Sequence, residues 1–506
     1  MKRNILIIFL FGIIWGQSDF AKLQSILPDS FGMVVMVDDY KSIRQNDFRW
    51  KIVSPIVDGS PSDISNETRQ VNKLSAKIDA LEQAAGFRFI GENLNPLIGD
   101  KVAIAFYGVS DAEFVYATNI PIMPPVLSEK RSWYEKHTDG RITYWTAQKE
   151  RQGAWGGFFW NDGILVISNS PKQFNRALSL VLKKSDNSIE NDEKTQISLD
   201  IAGFTGEKND VAIVLNTEIL RDDSYYNRYY QGADPKRQHF SRVSFAFEFD
   251  NKIARITRAS LSDSSIENIQ NIKLGEFTDL IPKNAFSYEE FRTDSWQKFS
   301  RKIPFGDVFF HSKDDKCPIT RAGCVWLPVD NDEKYPIIAP LVFIETKGDP
   351  KKFMNSQKEF IANSVADTII SGYKPIWQTY GDIASLQDEL GAELGFAYKI
   401  ENSKVIISSS MDAIKSKRAS SQRKSFPDGI SLIELKPSKL GKVAGEHLKT
   451  LSRWRLVDSY SAKRFLDKFA VPIGENVLKS IKSISEIELA EKTKNAFITK
   501  IEIELK

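Results

Sequence analysis

Residues 157–174 of this chain are written a second time, in altered letters, at residues 395–414. Gly157-Phe158-Phe159-Trp160, then Ile164-Leu165-Val166-Ile167-Ser168, run parallel to Gly395-Phe396-Ala397-Tyr398, then Lys404-Val405-Ile406-Ile407-Ser408. A repeated stretch of this kind implies one structural unit per copy, each with its own packed face, and so constrains the fold before any single residue does. Counted from the two glycines, the turn is two residues longer in the second copy. Ser170 and Ser410 then stand just before a helical pattern, where a serine hydroxyl accepts a bond from an otherwise unpaired amide; they read as N-caps rather than nucleophiles.

Further segments fall in the same order on either side. Leu27-Pro28 opens onto an apolar run at 32–38, and Leu280-Ile281-Pro282 opens onto a more polar one at 287–291. Val71, Leu74, Ile78, Leu81 and Ala85 mark an amphipathic helix over 67–85, and Phe353, Phe360, Ile361, Val365 and Ile369 mark another over 350–371. Runs of strand length follow at 101–107 and 113–118, and at 323–327 and 337–345. Each half closes on more strands, at 211–215 and 244–261 in one and at 430–434 and 484–505 in the other. The acidic stretch 186–194 reads as a mobile loop. With 506 residues the chain exceeds one ordinary core. The expectation is an α+β protein of two homologous domains, each an antiparallel-rich sheet packed by amphipathic helices: a leader at 1–18, a first repeat domain at 19–272 and a second at 273–506.

The leader is Met1-Lys2-Arg3-Asn4, an apolar run from 5 to 15, then Gly16, Gln17 and Ser18, the pattern of a secretory signal peptide. Its apolar run is short of the roughly 20 residues that a spanning helix needs. Export to the periplasm or the extracellular space follows, with no membrane span once the leader is removed. Two long amphipathic helical patterns argue against an outer-membrane barrel. The formal charge is only +3, and Lys2 and Arg3 of the leader account for two of it, so there is no electrostatic case for nucleic acid. The basic run 415–424 lacks interleaved aromatic residues and reads as a solvated loop or helix end.

Cys317 and Cys324 are the two cysteines, and in an exported chain a close pair reads as a disulfide closing a short loop. His137, His239, His311 and His447 form no paired metal motif; Asp314, Asp315 and Cys317 after His311 are read as solvated loop residues. Residues 330–333 resemble the start of a calcium loop but lack its glycine and final carboxylate, which leaves a turn. No metal and no cofactor is expected. The candidate recognition residues are Tyr225, Tyr226, Arg228, Tyr229 and Tyr230, whose rings and guanidinium suit stacking on sugars or peptide side chains; the competing reading is a cover for the first core. Trp145, Trp155 and Trp160 read as core aromatics, with a lined groove as the alternative.

No nucleophile elbow, phosphate loop, zinc-protease motif or dinucleotide fingerprint occurs. The leader, the Leu-Pro opening, the Gly-Asp-x-Val-Ala-Ile-Ala run at 99–105 and the strand-turn-Val-Ile-Ser unit together resemble an exported bacterial two-repeat family catalogued only as a domain of unknown function. That resemblance implies no catalytic residue. The leading functional expectation is a non-enzymatic binding or envelope-associated scaffold, with a peptide, glycan or lipid-like ligand in a groove between the copies, or an envelope protein as partner. Alternatives are a cell-envelope hydrolase using carboxylates that spacing does not reveal, and a module that binds partners along an exposed sheet edge.

Overall fold

A computed structural model describes residues 19–40, 95–108, 113–128, 134–148, 155–204, 211–223, 239–250, 252–293, 295–306, 309, 317–329, 338–368, 374–419, 426–437 and 480–506. Within these the protein is a mixed α/β structure dominated by antiparallel strands. Contacts divide the chain into two compact units, Met1–Glu267 with Glu491–Ile498, and Asn268–Ala490 with Thr499–Lys506. The helical pattern at 67–85 lies outside the described residues.

In the first unit the strands are β1 (Met33–Val37), β2 (Val102–Phe106), β3 (Phe114–Asn119), β4 (Tyr134–Asp139), β5 (Ile142–Ala147), β6 (Gly157–Asn161), β7 (Ile164–Ser168), β8 (Val211–Asn216), β9 (Phe240–Phe249) and β10 (Ile253–Ser262). Their order across the sheet is 4-5-6-7-3-2-1-8-9-10, every pairing antiparallel. The stretch 244–261 is therefore a hairpin of two long strands. Phe31, Met36, Phe159, Val166 and Phe174 lie in a core on one side, and Phe158 and Leu165 in a smaller one with Leu97 and Leu127. Neighbours such as Phe158 and Phe159 point opposite ways because side chains alternate along a strand.

The remaining strands, which belong to the second unit except for Glu491 and Ala496–Ile498, are β11 (Ser287–Arg292), β12 (Ile319–Pro328), β13 (Ile338–Thr346), β14 (Ile376–Tyr380), β15 (Ile383–Gln387), β16 (Glu393–Glu401), β17 (Lys404–Ser408), β18 (Ser431–Leu435), β19 (Ile481–Glu491) and β20 (Ala496–Leu505). Their order is 14-15-16-17-13-12-11-18-19-20, again antiparallel where the register is defined. Adding ten to each strand number of the first unit gives the second. Both faces of this sheet are covered: Val405 and Ile407 enter one core, Ile406 the other. That is why β13 reads as an unbroken apolar run rather than an alternating one.

The registers agree as well. Ser168 faces Val115 and Gly157, while Ser408 faces Leu341 and Ala397. Anchored there, Gly157 corresponds to Ala397 and not to Gly395, so the two-residue offset lies at the start of the strand. The turns are equal in length: Asp162-Gly163 joins β6 to β7, and Asn402-Ser403 joins β16 to β17. All four turn residues have positive φ (49° and 77°, 50° and 61°), which two-residue hairpins require when both central residues are left-handed.

Two helices carry their expected signals. Ser170 accepts a bond from the Gln173 amide and caps the helix Pro171–Val181, whose first position is proline; Ser410 does the same for Met411–Lys415 through Asp412. The helix Pro350–Thr368 buries Phe353, Met354, Gln357 and Ile361, whereas Phe360, placed on the buried stripe from sequence, stands 36% exposed. The spacing 353, 354, 357, 361 is the true inner face.

Candidate functional site

The tyrosine cluster Tyr225, Tyr226, Arg228, Tyr229 and Tyr230 lies outside the described residues, as do His311, His447 and the stretch 330–333. Cys317 and Cys324 are described, and the expected disulfide is not formed: both are free, buried thiols. Cys324 lies inside β12 and Cys317 just before it. A strand advances about 3.3 Å per residue, so the five steps from Ile319 to Cys324 already span roughly 16 Å, well beyond the Cα separation of a disulfide. Sequence proximity misled because an extended chain separates residues that a loop would bring together. Burial pushes the Cys324 thiol up to about 12.

The tryptophans pack. Trp145 stacks on Phe158 at 5.1 Å, Trp155 meets Phe174 edge-on at 5.6 Å, and the Trp160 Nε1–H donates to the Ile120 carbonyl at 2.9 Å. His137 Nε2 lies 2.9 Å from the Thr146 hydroxyl, and its ring stacks on Tyr144. Among the described residues no group of three or more His, Cys, Asp or Glu side chains is placed to hold a metal ion.

A concavity among the described residues lies wholly in the first unit, and sequence did not point to it. It has a volume of about 660 Å³. Its apolar lining is Ile26, Phe159, Ile164, Leu180 and Val181, supplied by the exit of the chain's first described helix (Asp19–Gln24), β6, β7 and the end of the helix Pro171–Val181. Its wall is the acidic stretch read from sequence as a mobile loop. That stretch is instead built in: Ile189 is fully buried, its amide bonds to the Leu27 carbonyl at 2.8 Å, and the Asp29 amide bonds to the Asn187 carbonyl at 3.1 Å. The Asn191 amide side chain closes the loop on the Asp186 carbonyl at 2.7 Å. Backbone groups that would otherwise seek water are paired, and Asp186 and Glu190 line the cavity while Asp192 pairs with Arg242.

Two polar lining residues sit at left-handed backbone positions. Asp162 is in the β6–β7 turn; Lys183, φ 55°, follows the helix. The Lys183 amide bonds to the Leu180 carbonyl and the Lys184 amide to the Ser179 carbonyl, the paired bonds that end a helix on a left-handed residue. Glycine is the usual occupant there. A lysine instead places a cation at the cavity mouth, near the helix's negative end.

Glu190 is half-buried and lines the cavity, and among the described residues its carboxylate has neither an ion pair nor a hydrogen bond. Burial alone raises its pKa. Ser188, 2% exposed, also lines the cavity, and its hydroxyl makes no hydrogen bond among the described residues. By strand register, Phe159, Asn161 and Ile164 correspond to Lys399, Glu401 and Lys404 of the second unit. There Lys399 pairs with Asp382 at 2.7 Å and Glu401 at 3.0 Å, whereas Lys404 lies over the Phe277 ring while donating to the Glu276 carbonyl.

No family model matches the chain, and no curated protein matches it. Among solved structures it is distantly similar to crystal form I of TP0453, with a TM-score of 0.28 and 10% identity over 48% of this chain and 81% of that one. Crystal form III of TP0453 gives a TM-score of 0.26 and 9% identity over the same shares. No cavity residue is carried over from either.

Proposed function

We propose that the chain is an exported, non-enzymatic binding protein that holds a small amphipathic molecule in the cavity of its first unit, on a scaffold made by internal duplication. The observation that carries the binding reading is the cavity itself: an apolar lining together with side chains that include partnerless polar groups, with a volume in the range of small-molecule sites. Identical strand order and matched register support the duplication. The Lys2-Arg3 leader and its apolar run support export. Where the second unit carries Lys399, Glu401 and Lys404, the first carries Phe159, Asn161 and Ile164 in the lining of the cavity.

The test is titration with the neutral fluorescent probe 1-aminoanthracene. Saturable one-to-one binding is expected, weakened about tenfold or more by Val181→Trp, which fills the cavity with an indole, while the thermal transition of the variant is retained. Absence of saturable binding, or equal binding by a folded Val181→Trp protein, would overturn the reading.

A further inference from the structure

Five charged side chains line the cavity, two cationic and three anionic. Lys22 faces it from the first helix, Asp162 from the β6–β7 turn, and Lys183, Asp186 and Glu190 from the segment after the helix Pro171–Val181. Asp162 accepts a bond from the Asn161 side chain at 3.0 Å. Glu190 is half-buried where Asp186 is exposed, and it has no such donor among the described residues. A carboxylate withdrawn from water without a cation or a donor is costly, and one remedy is a cation brought by a ligand. The apolar lining is aliphatic and aromatic, so the cation must come attached to an apolar body. Ser188 adds an unsatisfied hydroxyl, which can accept a second N–H from the same head group.

Resting on the cavity reading above, we infer that the first unit is selective for amphiphiles bearing a protonated amine, with Glu190 as the counter-ion of the ammonium and the Phe159, Ile164, Leu180 and Val181 lining against the apolar chain. The rise in the Glu190 pKa caused by burial gives this a pH signature. The ammonium favours the ionised carboxylate, so ligand competes with a proton for Glu190. Affinity therefore rises with pH until Glu190 is ionised in the free protein, by up to about tenfold per pH unit below its pKa, and is flat above it.

The experiment is calorimetric titration of the full chain with octylamine, octanoate and octyl glucoside at several pH values between about 4 and 8, where octylamine stays protonated. Wild-type protein should bind octylamine at least tenfold more tightly than the other two, with the pH dependence just described. Glu190→Gln, checked for folding by circular dichroism, should bind octylamine about tenfold more weakly and lose the pH dependence; Asp186→Asn should keep it. If octanoate or octyl glucoside binds as well as octylamine, and Val181→Trp abolishes that binding, the amine preference falls while the cavity reading stands. An unchanged pH profile in Glu190→Gln overturns the role of Glu190. No binding of any of the three, together with no binding of 1-aminoanthracene, overturns both.

Discussion

Ser168 and Ser408 show how one hydroxyl can join two elements. The Ser168 hydroxyl donates to the Phe114 carbonyl at 2.6 Å and accepts from the Ser170 amide at 3.1 Å; the Ser408 hydroxyl donates to the Pro340 carbonyl at 2.7 Å and accepts from the Ser410 amide at 3.2 Å. Each ties the end of a strand to its neighbour and to the cap of the next helix. Ser408 is fully buried, so Ser408→Ala leaves a carbonyl and an amide short of a partner inside the protein. A loss of about 1–3 kcal/mol is expected, read as a lower urea midpoint at unchanged slope. The N-cap role of Ser170 and Ser410 was legible in the sequence because capping is local. The role of Ser168 and Ser408 was not, because each partner carbonyl lies more than fifty residues away. Gly99, quoted from sequence only as part of a strand signature, has an equally non-local reason: a Cβ there would lie 1.9 Å from the Asn119 carbonyl oxygen.

At the scale of elements, the paired hairpins are the informative case. Both turns are left-handed at two successive residues, a conformation that glycine adopts most readily, and the first unit has Gly163 at the second of them while the second unit has Ser403. Ser403→Gly is expected to stabilise the protein by about 0.5–1 kcal/mol, since relief of the left-handed cost outweighs the added freedom of the unfolded chain. A denaturation midpoint that falls or stays put would show that the Ser403 backbone is not strained. Strands were legible at this scale: apolar runs at 101–107, 113–118 and 211–215 lie on β2, β3 and β8. The loop 186–194 was misread because its polar composition hides one apolar anchor, Ile189, whose burial fixes the whole segment. The single stripe read along Pro350–Thr368 included Phe360, which packing leaves outside in favour of Met354 and Gln357.

At the scale of the molecule, a buried charge in the second unit links stability to pH. Glu290 is fully buried on β11; its carboxylate accepts from the Gly275 amide at 2.7 Å and from the Tyr288 hydroxyl, and Arg321 Nε lies at 3.2 Å, with Arg321 also 3.2 Å from Glu345. Burial still raises its pKa above the ordinary 4.5. Between 4.5 and that raised value the folded chain holds a proton that the unfolded chain has released, so this contribution to stability is fully present below the window and declines as pH rises through it. Urea midpoints measured across about pH 4 to 8 should show this decline, and Glu290→Gln should flatten it while lowering stability through the altered bonds to Gly275, Tyr288 and Arg321. A slope that persists unchanged in Glu290→Gln assigns the decline to another group.

The sequence by itself determined the strand and cap signals and the recurrence of a strand-turn-strand-serine unit, all of which depend on contacts within a few residues of one another. Tertiary structure alone decided the sheet order, the equal turn lengths, the separation of Cys317 from Cys324 and the cavity around Glu190. Pairing register and burial are set by partners tens to hundreds of residues away. The same Ile-Ser ending follows Phe159 and Ile164 in one unit and Lys399 and Lys404 in the other, and only the neighbours brought in by folding make one set a cavity lining and give the other its partners, carboxylates for Lys399 and a ring and a carbonyl for Lys404.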